Sequence, residues 1–189
     1  RPPAAEPGPT LLFALLKRDA TDLLVRMATE LGVSSLQPVL TARTNAARVN
    51  LERLRAIATE AAEQSERLSV PAVAAPARLD LLLGAWPPGE PLLAAVERLA
   101  TPVRDENPVA VPGARPGSLL IGPEGGFTPA ELDALRACPF VTLISLGSRI
   151  LRAETAAVAG LVSLQAARER WGVGPQATAP EASPDSAGR

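Results

Sequence analysis

Two short stretches concentrate residue types that can do chemistry. The first is Gly122-Pro123-Glu124-Gly125-Gly126, in which three glycines and a proline surround one carboxylate. The second runs Leu146-Gly147-Ser148-Arg149-Ile150-Leu151-Arg152-Ala153-Glu154-Thr155 and sets two arginines, a glutamate and a threonine around two apolar residues. Glycines let backbone N–H and C=O groups approach a ligand closely. A phosphate loop is one reading of the first stretch. However, no Gly-Lys-Ser/Thr ending follows, the G-x-G-x-x-G spacing is absent, and Glu124 would repel a phosphate held there. A carboxylate beside bare backbone suits a cationic or hydrogen-bond-rich ligand better. A structural account stays open for either loop alone: a tight turn, and an Arg–Glu ion pair at a helix start.

The elements that must position these loops read as alternating strands and helices. Leu11–Leu16 is a continuous apolar run of the kind a doubly buried strand shows. From Thr21, apolar residues recur at helical spacing, and Gly32 stands where a helix-ending glycine belongs. Ser35–Leu40 reads as a second strand, weakened by Pro38. Asn50 reads as the N-cap of a helix whose apolar face reaches Leu68, with Glu60, Glu63 and Glu66 on its solvated face. Pro71–Ala77 reads as irregular, Leu79–Trp86 as a short helix, Pro91–Val96 as a strand and Thr101–Ser118 as a loop. Ser118–Ile121 is then the strand that feeds the first chemical loop. Thr128-Pro129-Ala130-Glu131 has capping-box spacing with proline at the first helical position. Val141–Leu146 feeds the second loop, and a last helix runs from Thr155 to Trp171. The alternation predicts an α/β class: a mostly parallel sheet with helices on both faces. Ligands in such sheets bind beyond the carboxyl ends of the strands, where the loops after Val96, Ile121 and Leu146 lie.

Quoted together, IGPEGGFTPAE and SLGSRILRAETA resemble the RsmE family, the ribosomal small-subunit RNA uridine-N3 methyltransferases of the SPOUT superfamily. Ala28–Val33 is similar to the family's ELGV element, and Arg43-Thr44 and Glu60–Arg67 resemble its following segments. The likeness covers Leu11 to Trp171. It implies a feature that spacing does not show, a SPOUT-type C-terminal trefoil knot, an exception to the rule of unknotted chains. It implies S-adenosyl-L-methionine as cofactor, held bent, with its adenine met largely by loop backbone. By resemblance the cofactor role falls on Ile121, Gly122, Pro123, Glu124, Gly125 and Gly126. It falls also on Leu146, Gly147, Ile150, Leu151 and Arg152, with Val96 and Glu97 at the end of the earlier strand. The resemblance further implies a homodimer acting on small-subunit ribosomal RNA in the cytoplasm, without a metal. Uracil N3 must lose its proton before it attacks, and the charge then spreads onto O2 and O4. Arg149 and Arg152 are therefore the expected donors to those oxygens. Glu154 is expected to accept the proton or orient an arginine, and Thr155 to bond the base or cap the last helix. Two departures stand out. The family's N-terminal PUA-like barrel has no room before Leu11, and Met27 stands where many members carry lysine. The first favours an alternative, a non-catalytic RNA-interaction or assembly module that keeps the fold. The intact Arg149, Arg152, Glu154 and Thr155 argue against it.

Composition sets outer limits. The chain has 189 residues, enough for one domain with a core, and 47% are apolar. Its 19 basic and 20 acidic residues leave no overall charge to drive nucleic-acid binding. With no histidine, His-based catalysis and His-ligated metals are excluded. The single Cys138 excludes an internal disulfide, fits a reducing compartment and reads as buried filler. Aromatic residues, at 3%, are too few for a base-stacking platform, so Trp86 and Trp171 read as closures of core edges. No apolar run approaches a membrane span. Residues 1–10 read as a linker or upstream remnant, 11–174 as the domain and 175–189 as a disordered tail. The chain does not begin with Met, which points to a piece of a longer protein.

Overall fold

Every strand of the predicted series runs parallel to its neighbours. The computed structural model describes residues 6–44, 49–96 and 117–170. The elements are β1 (Thr10–Ala14), α1 (Arg18–Glu30), β2 (Ser35–Leu40), α2 (Leu51–Gln64), β3 (Ala72–Val73) and β4 (Ala77–Arg78). They continue with α3 (Leu79–Gly84), β5 (Leu92–Ala95), β6 (Ser118–Ile121), α4 (Pro129–Ala137), β7 (Val141–Ile144) and α5 (Ala153–Arg170). The sheet order is β3-β2-β1-β6-β5-β7, with β4 also paired to β2. Among the described residues all six strand pairings are parallel.

Successive side chains of β1 go to opposite cores, which is why its sequence is apolar without interruption. Leu11 and Phe13 join α1, α2 and α5 in one core; Leu12 joins α3 and α4 in the other. Helices thus cover both faces, as the alternation predicts. Fully burying each such leucine or phenylalanine contributes about 1.5–3 kcal/mol.

Pro38 lies inside β2 without cost because of where its missing N–H would point. The neighbouring Val39 carbonyl accepts from Leu15 on the β1 side, so Pro38 faces the opposite flank. There β3 pairs only with Ser35 and Leu36, and β4 only with Val39 and Leu40. The proline sits against the break between them, the edge position that proline tolerates.

Several boundaries differ from the sequence expectation. The first helix begins at Arg18, one turn before Thr21, and the last at Ala153. The second helix stops at Gln64 rather than Leu68. Glu66 takes a left-handed conformation (φ 55°), with Arg67 N–H on the Ala62 carbonyl and Glu66 N–H on the Glu63 carbonyl. This paired closure ends a helix even without glycine. It leaves Leu68 exposed instead of on an apolar face. The stretch predicted irregular holds the two short strands β3 and β4. Residues 6–9, predicted as linker, are tied down: Ser34 N–H donates to Pro9 O and Ser34 Oγ to Gly8 O. The Glu6 carboxylate accepts from Leu68 N–H and Arg67 Nε, which hold it below the usual carboxylate range. Trp86 does close an edge, stacked on Phe140 at 5.9 Å. Cys138 is only partly buried, with Sγ on the Ala134 carbonyl. Trp171, residues 175–189 expected as a tail and all but the last two residues of the expected loop Thr101–Ser118 lie outside the described residues.

Candidate functional site

Register brings the loop-bearing strands to one level. Ala95 of β5 pairs with both Ile121 of β6 and Ile144 of β7. Three chains therefore leave the sheet side by side at its carboxyl edge. A cavity of about 880 Å³ opens there.

The first loop is built for a tight passage. Gly126 has φ 68° and its N–H closes a turn onto the Pro123 carbonyl at 2.8 Å. A Cβ on Gly122 would stand 2.8 Å from the buried Phe127 ring, so the bareness there serves packing as well as access. The helix that follows starts as the sequence predicts. Thr128 Oγ1 accepts from Glu131 N–H at 3.3 Å, and the Glu131 carboxylate accepts from Thr128 N–H at 2.8 Å. The other Glu131 oxygen accepts from Ala42 N–H at 2.7 Å. One carboxylate thus ties the loop after β2 to the loop after β6. Arg43, next in that segment, donates from Nη1 to the Gly125 carbonyl.

Nearly all the residues singled out from sequence meet on this cavity. Val96, Ile121, Gly122, Pro123, Glu124, Gly125 and Gly126 line it. So do Leu146, Gly147, Arg149, Ile150, Leu151, Arg152 and Glu154. Glu97 lies outside the described residues. Thr155 is not on the wall. It is exposed on α5 and falls inside the helix, past the cap position, so it caps nothing. Each helical residue turns about 100° from the last, which carries Thr155 away from the side that Glu154 occupies. Arg149 and Arg152 are exposed and make no ion pair with Glu154 among the described residues. The structural account of this loop, an Arg–Glu pair at the helix start, thereby loses its basis.

Lys17, Asp19, Leu23, Arg43 and Phe127 also line the cavity, and sequence reasoning missed them as site residues. A signal existed. In a parallel sheet the loops after β1 and β2 leave at the same edge as those after β5–β7. Only the β1–β6 pairing, absent from the sequence pattern, says that they stand near enough.

The wall combines apolar surface (Val96, Ile121, Phe127, Leu151) with charges of both signs. Such a cavity suits a ligand with a flat apolar part and charged ends. Among the described residues no group of three or more Cys, Asp or Glu could hold a metal ion, and no helix is long and apolar enough to cross a membrane.

Comparison with known proteins gives three findings. Residues 6–165 match the family model for the RNA methyltransferase domain. A Synechocystis protein named Ribosomal RNA small subunit methyltransferase E is 39% identical over 169 residues, which cover 85% of this chain and 54% of its own. The Rickettsia conorii protein of the same name is 36% identical over 160 residues, 82% of this chain and 63% of its own. This chain therefore spans between half and two thirds of those relatives' lengths. Among solved structures, Ribosomal RNA small subunit methyltransferase E from Neisseria gonorrhoeae, bound to S-adenosyl methionine, superposes with a TM-score of 0.72. It is 29% identical and the match covers 85% of this chain and 66% of that one.

Proposed function

The chain belongs to the RNA methyltransferase domain family, and from that premise we propose that it transfers a methyl group from S-adenosyl-L-methionine to N3 of a uridine in small-subunit ribosomal RNA. The observation that carries this is the cavity lined by both the Gly122–Gly126 loop and the Leu146–Glu154 segment. Its residues fit the cofactor. Val96, Ile121, Phe127 and Leu151 offer apolar surface for an adenine ring, and Glu124 offers a countercharge to the cationic groups. When bound, the cofactor supplies an electrophilic methyl group on a positive sulfur.

The chain's own residues do the rest. Gly122–Gly126 and Leu146–Leu151 hold the nucleoside end by backbone and apolar contact. Arg149 and Arg152 direct guanidinium donors at O2 and O4 of the uracil, where charge grows as N3 loses its proton. Glu154 accepts that proton or orients an arginine. The proposal includes a SPOUT-type trefoil knot, supported by the strand order that seats β6 between β1 and β5, and a cytoplasmic location. It also includes a homodimer. Support for the dimer comes from an apolar side chain left on the outside of α5: Val162 is 48% exposed.

Calorimetric titration with S-adenosyl-L-methionine, followed by methyl transfer to a small-subunit ribosomal RNA transcript, tests this. One site per chain and methylated uridine are expected. Arg152→Ala should keep the wild-type circular dichroism and lose about 100-fold or more in turnover. No cofactor binding by a folded chain would sink the proposal. Cofactor binding with full turnover in Arg152→Ala would remove that arginine's role.

A further inference from the structure

Lys17 lines three adjacent hollows on the carboxyl edge of the sheet. The two outer ones, about 530 and 520 Å³, extend beyond the loops assigned to the cofactor. They run from Pro123–Gly125 past Arg43 and Lys17 to the starts of α1 and α2. Arg43 is pinned across the bare loop by its bond to the Gly125 carbonyl. Lys17 and Arg43 are both exposed, and neither joins an ion pair among the described residues.

The charges facing these outer hollows are unequal. Lys17, Arg18, Arg43 and Arg53 stand against Asp22 and Glu124. Arg53 and Asp22 neutralise each other. Among the described residues lining the two hollows, Glu124 is left as the single acid beside three cations. Lys17 supplies no side-chain cap to α1, and the partial positive charge of that helix start is offset in part by Asp19 in its first turn.

We infer that Lys17 and Arg43 form a phosphate-binding lip that takes the RNA backbone beside the target uridine and leads the strand toward α2. This rests on the proposed RNA methyl transfer and adds a path for the strand. A carboxylate at the methionyl end of the cofactor has similar chemistry. The extended course of the hollows favours the RNA, because a chain of phosphates can follow it and one carboxylate cannot.

The test uses the 189-residue chain, a uridine-containing single-stranded oligoribonucleotide, and the variants Lys17→Glu and Arg43→Gln. Glutamate at a helix start favours the helix dipole, and glutamine keeps a donor for Gly125 O, so both variants fold. Each is expected to weaken oligonucleotide binding about tenfold at low salt. The slope of log Kd against log salt should fall by about 0.7 for each phosphate that is no longer neutralised. Because both residues also line the cofactor cavity, cofactor affinity is read alongside, and it should fall less than oligonucleotide affinity in each variant. Unchanged oligonucleotide affinity and slope would overturn the inference, as would no oligonucleotide binding by the wild type. Lost cofactor affinity with RNA binding intact would overturn it too, and would assign the pair to the carboxylate. The wild-type cofactor titration reads the methyl-transfer proposal separately. A wild type that fails to bind cofactor while the variants still change the salt slope defeats that proposal alone.

Discussion

At the scale of single residues, the glycines of the first loop do two jobs that the sequence shows as one. Three glycines in five residues signal close backbone approach, and the loop does line the cavity. Yet Gly122 is bare because the Phe127 ring lies against it, a reason legible only once the ring is seen there. Gly122→Ala should therefore destabilise the fold by about 1–3 kcal/mol through overpacking. Urea unfolding would show this as a lower midpoint with an unchanged slope; a midpoint equal to wild type would mean that Phe127 yields freely. Arg149, Arg152 and Glu154 drew attention in the sequence because they alternate with apolar residues, and all three line the cavity. Thr155 was expected to bond the base or cap the last helix; the cap fails because α5 already begins at Ala153, two residues earlier.

At the scale of elements, the capping box at α4 was readable in full from Thr128 to Glu131. Its reach was not. The Glu131 carboxylate satisfies Thr128 N–H and Ala42 N–H together, linking segments 89 residues apart. Thr128→Ala should cost about 1 kcal/mol, the usual loss for a helix cap, and leave the β2 loop in place. Glu131→Ala removes both ties. Hydrogen exchange at Ala42 should then speed up in Glu131→Ala and stay near wild type in Thr128→Ala. Equal protection in the two variants would show that the loop after β2 holds its shape unaided. The end of α2 makes the complementary point: an apolar period runs on to Leu68, but the backbone turns left-handed at Glu66 and ends the helix first.

At the scale of the whole molecule, α5 packs on the sheet and on α1, yet keeps apolar residues on its outer side. Val162→Arg should convert the proposed dimer to a folded monomer, since Val162 is already 48% exposed in the single chain. Sedimentation velocity would report the change, and a wild type that sediments as a monomer would refute the dimer outright. The α/β class, the caps at Asn50 and Thr128 and the position of both loops were determined by sequence alone, because apolar period, cap chemistry and glycine placement are local properties of the chain. Which strands are neighbours was decided only by tertiary structure, because parallel pairing joins distant segments and leaves no local mark. The β1–β6 pairing seats Lys17 and Arg43 beside the glycine loop. That pairing turns two separately legible loops and two overlooked cations into the walls of one cavity.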